Sequence, residues 1–526
     1  MKKSVVDRAD INKYIRSNCK KLSIEQLAKD CGITERAVEG RAYRMKLELF
    51  SHNDMRARLP SAKRYIITAA QNATPIHQAF WASLKQAAAY YNAELVVIPG
   101  RYKNPTSQWT EKNAENEWWD SAVVPYLCKG RISLNDRIMI LGDVKVPWAT
   151  RSPLTMMDTL TKDKSGIVGH PNRALRSIAT PQHKQPKVMF TTGTCTIRNY
   201  TDSRQGKIAS FNHCLGALIV EIDGDLFWAR QLNADKFGAF IDLNFEFTPT
   251  GVKPAERALS LTPGDIHERW VLPHVVHATF NAKDSIVNVL RPQHIIFNDL
   301  TDSHARNHHH KDDWLTNFGK WKSGIECIRT EIKDAIRFVN EKTPDDCQAV
   351  IVSSNHDRAI LRWLKETDFR TDPVNAIFYL ESALALANSA KKDEGGIVYD
   401  DPFVAYAKQF AKKNVKFLKQ GQSFVLSRVE YGLHGDLGPN GSRGTTRNLS
   451  ALGEKVTKGH SHAAEIIDGC YSAGVCTGPL EYEGGGPSNH SNSHVVQYAN
   501  GKRAIIFVIN GRYCLDHPTP SKSRKK

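Results

Sequence analysis

Apolar positions change rhythm twice along the chain. In residues 1–58 they recur at helical spacing. Ile11 to Cys19 fits one helix. A second starts at Ser23, with Glu25-Gln26 in its first turn and Leu27, Ala28 and Cys31 on its apolar face. Gly32 predicts a turn, and Thr34 the cap of a third helix running to about Leu47. Beyond the linker Pro60-Ser61-Ala62-Lys63 the rhythm becomes that of short strands. Tyr65–Thr68 and Glu94–Ile98 flank a helix over Pro75–Asn92, a β-α-β unit. Strands follow at Arg137–Leu141, Lys187–Thr191, Ala217–Ile222 and Leu226–Gln231, the last two joined by the hairpin signal Asp223-Gly224-Asp225.

From about residue 255 strand and helix alternate more regularly. Strands at Leu259–Leu261, His294–Phe297 and Ala349–Val352 each lead into a polar motif. Helices are expected at Asp284–Leu290, Trp314–Val339 and Arg358–Leu364, and two more, Val374–Ser389 and Pro402–Lys413, look like an insertion. This alternation predicts an α/β fold. The pattern divides the chain into a helical region 1–58, an α/β region 64–250 of unassigned role, a region 255–515 and a basic, disordered tail 516–526. No internal repeat and no long low-complexity segment is evident.

At 526 residues the chain can bury a large core without disulfides, and its ten cysteines are scattered with no Cys-x-x-Cys, which argues for reduced thiols. No apolar run reaches the ~20 residues of a membrane span and no signal core follows Met1, so a cytoplasmic location is expected, without membrane association. The net charge is +17, a balance that favours a polyanionic partner. Residues 1–63 carry 15 Lys/Arg against 8 Asp/Glu, and the chain ends Lys522-Ser523-Arg524-Lys525-Lys526.

The candidate chemistry lies in five motifs: Gly264-Asp265-Ile266-His267, Asn298-Asp299-Leu300-Thr301-Asp302, Asn355-His356-Asp357, His434-Gly435-Asp436 and Gly459-His460-Ser461-His462. The first three follow predicted strands, and ligands gather at the carboxyl ends of strands in layered α/β sheets. At a strand end, Asp265 and His267 two residues apart would point the same way and grip one ion. The mixed nitrogen and oxygen donors suit Mn²⁺, Fe²⁺, Zn²⁺ or Ni²⁺ better than Ca²⁺ or Mg²⁺ alone. Two such ions side by side point to hydrolysis of a phosphate ester. Leu141-Gly142-Asp143 and Gly169-His170-Pro171 imitate fragments of these motifs without the rest of the set and read as turn residues.

In order and strand context, the five motifs resemble those of the calcineurin-like metallophosphoesterase superfamily: Asp-x-His, Gly-Asp-x-x-Asp, Gly-Asn-His-Asp/Glu, a lone His and Gly-His-x-His. The resemblance covers 255–515. It implies a two-layered β-sandwich flanked by helices and a dinuclear centre, most readily Mn²⁺, activating a bridging water. One ion would be held by Asp265, His267, Asp299 and His462, the other by Asp299, Asn355, His434 and His460. His356 would assist the leaving group, oriented by Asp357, and Asp302 would fix the loop around Asp299. Asn298 and Ser354 stand where the family has glycine, so altered loop backbones are expected there, Asn298 tolerating left-handed geometry.

The superfamily motifs do not choose the phosphoester. The charge, the extra domain and the pattern Ile24-x-x-Leu27-Ala28-x-x-x-Gly32-Ile33-Thr34-x-x-Ala37-Val38, which resembles a helix-turn-helix, favour DNA. Arg36, Arg41, Arg44 and Lys46 on the third helix would face duplex DNA, with Arg269, Arg306 and Arg358 as phosphate contacts near the motifs; Lys311, Arg443, Arg447 and His308-His309-His310 lie close in sequence as well. Length and architecture also resemble the nucleases with which tailed phages degrade host DNA early in infection, implying action in the host cytoplasm. The alternatives are a phosphatase or phosphodiesterase of nucleotides or phosphoproteins, and a DNA-binding regulator with an auxiliary hydrolase domain. The helical region could equally be a packing or oligomerisation module, and a homo-oligomer is compatible with the sequence.

Overall fold

The computed structural model describes residues 10–19, 22, 24–47, 56, 58–107, 118–182, 184–480 and 485–516. Ser23, the side chain of Glu25 and the tail beyond Asp516 lie outside them. The chain is an α/β protein with several mixed sheets. It divides into two compact units: 1–178 with 187–255 and 514–526, and 179–186 with 256–513.

The first unit begins with three helices, Ile11–Asn18, Ile24–Cys31 and Glu35–Arg44. Thr34 caps the third, its side chain accepting from Ala37 N. Ile11, Ile15, Leu22, Leu27, Ala28, Cys31 and Val38 make a small separate core. Arg36, Arg44 and Lys46 are exposed, whereas Arg41 donates to Asn12 Oδ1 at 2.8 Å.

A four-stranded sheet follows in the order Glu94–Gly100, Arg64–Gln71, Gly216–Asp223, Leu226–Asn233, parallel for the first pair and antiparallel for the others. The helix Gln78–Tyr91 is capped by His77 and covers it with Phe80, Trp81, Leu84 and Ala87. A further run of strands places Ile138–Leu141, Ser165–Val168 and Lys187–Thr191 parallel, with Leu175–Ile178 and Arg131–Ser133 antiparallel at its sides. The sheet buries a charged knot: Arg230 donates to Glu221 at 2.6 Å and twice to Asp242 at 2.8 Å, and Tyr91 also donates to Asp242.

The second unit has a six-stranded sheet in the order Val415–Phe417, Gln348–Ile351, His294–Phe297, Ser260–Thr262, Ser493–Gln497, Arg503–Phe507. The first four are parallel and the last two antiparallel. A second run holds Val429–Glu430, Lys455–Lys458 and Cys470–Ser472 in parallel, flanked by Val425–Leu426 and Glu465–Ile467. Ile296, Val350 and Val352 share one apolar cluster with Val429 and Tyr431. The helix expected over Trp314–Val339 is two helices, Trp314–Ser323 and Ile328–Lys342, because Gly324 takes a left-handed conformation (φ 68°) and ends the first. The helix expected over Pro402–Lys413 stops at Ala407. The described cysteines form no disulfide, and no described helix is long and apolar enough to cross a membrane.

Removing the Arg230 guanidinium would strand Glu221 and Asp242 in the core. Arg230→Met is expected to cost about 3–5 kcal/mol in chemical denaturation, because breaking a buried pair leaves uncompensated charge.

Candidate metal centre

Each motif occupies the turn after a strand, and neighbouring turns continue the pairing of the strands. After Ser260–Thr262, Asp265 N donates to Gly474 O (2.9 Å) and Cys476 N to Asp265 O (2.8 Å). Ile266 N then donates to Asn298 O and His267 N to Asp299 O (2.7 Å), fixing the first turn against the second. Gly264 and Gly459 are required by space: a Cβ on Gly264 would overlap the Val475 backbone, and one on Gly459 would overlap Asp265 Oδ1.

Strand alternation does not aim Asp265 and His267, contrary to expectation. The strand has ended, and His267 is left-handed (φ 43°), as are Asp299 (42°), His460 (68°) and His462 (53°). Each such non-glycine residue costs on the order of 1–3 kcal/mol and persists where its surroundings over-determine it. Four of the seven candidate ligands are therefore held by turn backbones.

The side chains converge. Asp265, His267, Asp299 and His462 form one group and Asp299, His434 and His460 another, the donor atoms of each lying within 4.8 Å of one another; Asp299 is shared. His267 Nε2 lies 3.1 Å from His462 Nε2, and His462 Nε2 lies 3.5 Å from Asp265 Oδ2. His434 Nε2 is 3.1 Å from Asp299 Oδ2 and 3.1 Å from Asn355 Oδ1. All seven residues that the sequence nominates as ligands thus meet in one place.

The donor set fits a cation. Asp265 Oδ1 and Asp299 Oδ1 are buried without a hydrogen bond, and Asp299 Oδ2 has the His434 ring beside it at 3.1 Å, a costly state unless a positive charge satisfies the carboxylates. Two imidazole nitrogens facing each other at 3.1 Å likewise need a proton or a metal between them. The buried Asp/His cluster could therefore hold divalent metal ions. The titration behaviour agrees. Burial and Asp299 push Asp265 up to about 6. Burial alone would lower His267, but Asp302, Asp299 and Asp265 outweigh it and raise it to about 9. Burial would raise Asp299, but His434, His356 and His267 hold it well below the carboxylate range. Burial and His434 lower His460 to about 4, and burial and His267 hold His462 well below its usual value.

The partners of His356 differ from those expected. Asp357 does not orient it. Its carboxylate accepts from Thr301 N (3.0 Å), Thr301 Oγ1 (2.9 Å) and Ser354 Oγ (3.0 Å), clamping the turn that carries Asp299. Asp302 is the group facing His356, Oδ1 to Nδ1 at 3.4 Å, and it also lies 3.3 Å from His267 Nδ1. Asp302 thus occupies the position beside His356 expected of Asp357, and Asp357 braces the turn expected to be fixed by Asp302.

Asn298 and Ser354 also act otherwise than expected. Neither has a left-handed backbone. Asn298 Oδ1 lies 3.1 Å from His434 Nδ1 and sets that ring, while Ser354 Oγ holds Asp357.

Residues without a signal in the motifs complete the site. Buried Lys458 donates from Nζ to Gly459 O at 2.7 Å and pairs with Ser461. Glu331 accepts from His304 N and Ala305 N, anchoring the second turn. His494 Nδ1 accepts from Gly264 N at 3.0 Å. Only the position of Lys458 immediately before Gly-His-x-His could have drawn notice.

The three arginines expected to contact phosphate all have internal partners. Arg269 donates to Ile325 O, Arg306 makes two 2.7 Å bonds to Asp372, and Arg358 pairs with Asp436 and Ser354 O. His308 and His309 are exposed, and His310 Nδ1 lies 2.9 Å from Lys320 Nζ.

Fold and site thus define an α/β protein with a buried aspartate–histidine cluster suited to divalent metal. The chain is 33% identical over 464 residues to Protein A1 of Escherichia phage T5, spanning 86% of this chain and 83% of that protein. It belongs to the family of that phage protein. No family model matches the chain.

Asn298→Ala is expected to weaken Mn²⁺ binding about 10- to 100-fold by freeing His434, and Gly459→Ala to weaken it further by displacing Asp265, both read by calorimetric titration with circular dichroism unchanged. Metal uptake must expel the proton of His267 below about pH 9 and that of Asp265 below about pH 6. Mn²⁺ affinity should therefore fall as pH falls, most steeply below 6, with proton release visible in buffers of different ionisation enthalpy. A pH-independent affinity over 6–9 would contradict this assignment.

Proposed function

We propose that the chain is a metallophosphoesterase whose catalytic region is 255–515, and that its substrate is double-stranded DNA. The observation that carries the reading is the convergence of five motifs on one buried cluster with unsatisfied carboxylate oxygens. Asp265, His267, Asp299 and His462 would hold one ion, and Asp299, Asn355, His434 and His460 a second, Mn²⁺ being the best candidate. When bound, such ions lower the pKa of water and neutralise charge on a phosphoryl oxygen.

His356 stands at the edge of the cluster and is 20% exposed, where Asp299, His267 and His434 are closed off. With Nδ1 turned to Asp302, its Nε2 remains for the substrate. A proton held there can be given to the departing 3′- or 5′-oxygen, and Asp302 stabilises the charged ring meanwhile. Asp357 contributes by fixing Asp299.

DNA is favoured over a small phosphoester by the +17 charge and by the exposed Arg36 and Arg44 on the third helix of the N-terminal trio, with exposed Lys46 just beyond its end. The relative's phage source accords with an enzyme that degrades host DNA in the cytoplasm of the infected cell.

The test is cleavage of supercoiled plasmid by metal-stripped protein with Mn²⁺ restored. Wild type is expected to nick or linearise it. Asp265→Ala should lose both metal and cleavage. His356→Ala should keep its metal and lose about 10²- to 10⁴-fold in kcat. Failure on plasmid, linear and single-stranded DNA, with a small phosphodiester still hydrolysed, would exclude DNA and leave the nucleotide or phosphoprotein reading.

A further inference from the structure

The two units, taken separately, have the same strand plan. In the first, Arg64–Gln71 lies between a parallel neighbour, Glu94–Gly100, and an antiparallel one, Gly216–Asp223, which pairs with Leu226–Asn233. In the second, Ser260–Thr262 lies between parallel His294–Phe297 and antiparallel Ser493–Gln497, which pairs with Arg503–Phe507. The other runs agree strand for strand. Arg131–Ser133, Ile138–Leu141, Ser165–Val168, Lys187–Thr191 and Leu175–Ile178 pair antiparallel, parallel, parallel, antiparallel. Val425–Leu426, Val429–Glu430, Lys455–Lys458, Cys470–Ser472 and Glu465–Ile467 do the same. In both runs the last two strands occur in the chain in the reverse of their spatial order, a detail that chance pairing has no reason to repeat.

Backbone hydrogen bonds set the correspondence. Cys195 N donates to Ala69 O as Cys476 N donates to Asp265 O, both at 2.8 Å. Thr192 N donates to Val168 O as Ala473 N donates to Lys458 O. Ala69 therefore stands for Asp265, and Gly169-His170-Pro171-Asn172 for Gly459-His460-Ser461-His462. The space above the shared glycine agrees: at Gly459 it holds the Asp265 carboxylate and Asn298, and at Gly169 it holds Ile98 and the Ala69 methyl. Carrying the same equivalence one strand further, Ile138 pairs with Ser165 as Val429 pairs with Lys455, which puts exposed Asp143 at the place of buried His434. Two residues on from Ala69, Gln71 stands for His267, and the neighbouring strand end that corresponds to the Asp299 turn, Ile98-Pro99-Gly100, carries no carboxylate. The strand Gln348–Ile351, which leads to Asn355, His356 and Asp357, has no counterpart among the described residues of the first unit.

We infer that residues 64–255 are a second copy of the fold of residues 256–513 in which the metal centre has been dismantled, so that metal binding and its chemistry are confined to the second copy. His170, the remaining histidine of the set, has become structural: Nε2 lies 3.2 Å from Pro147 O, Nδ1 accepts from Asn172 N, and burial holds it at about 4. Asp143 pairs with Arg131. That ion pair lies at the surface, and no carboxylate stands in the first copy where Asp265 and Asp299 stand in the second.

The inference rests on the Asp265–Asp299 cluster being the metal centre, and the test separates the two. Full-length chain is loaded with Mn²⁺, desalted and assayed for bound metal by mass spectrometry and electron paramagnetic resonance. Wild type should retain Mn²⁺, His170→Ala should retain the same amount, and the triple variant Asp265→Asn, Asp299→Asn, His434→Ala should retain none. Wild type without Mn²⁺ would overturn the metal-centre reading itself. Mn²⁺ persisting in the triple variant, or lost with His170→Ala alone, would overturn the silent copy. His170→Ala keeps the test decisive even if the triple variant fails to fold.

Discussion

The second unit is organised around a charge problem. Asp265 and Asp299 are carried into the protein interior beside each other, and one oxygen of each has no hydrogen bond. Two buried carboxylates in contact repel, and desolvation adds to the cost. Five histidines within reach offset part of this in the metal-free protein, which is why His267 and Asp299 titrate so far apart. A divalent cation would resolve the conflict more completely, since it could satisfy carboxylates and facing imidazole nitrogens together. The strand ends, the left-handed turns and the glycines at 264 and 459 all serve to impose this crowding.

The surrounding bonds show how the crowding is maintained. The first turn pairs with the second, the second is clamped by Asp357 and Glu331, and the third and fourth are tied by Arg358 to Asp436. Each ligand-bearing turn is thus braced by a neighbouring one. Arg269, Arg306 and Arg358 belong to this bracing.

Much of this was legible in the sequence. Aspartate, asparagine and histidine at strand ends, in a fixed order, name the ligands because few other residue types can hold a transition metal. The strands themselves follow from short β-branched runs. What was not legible depends on loop path. No local pattern says that Asp302 rather than Asp357 will face His356, or that Asn298 will use its side chain on His434 rather than its backbone tolerance. The break at Gly324 is not signalled, because the apolar spacing Trp321, Ile325, Ile328 continues across it. The duplicated fold is hidden for a physical reason: strand order depends on burial and pairing, which many apolar residues satisfy, whereas the positions that would have advertised the repeat carry Ala69 and Gln71 where the second copy has Asp265 and His267.

The position of Asp357 bears on how damage to this site would be interpreted. It neighbours His356 in sequence, and a defect there invites an explanation in terms of proton transfer. Its bonds, however, run to Leu300, Thr301 and Ser354. Losing it would let the turn carrying the shared carboxylate drift, so the first quantity to change would be occupancy, and the rate would follow as a secondary symptom. Adjacency along the chain and adjacency in mechanism are here two different maps.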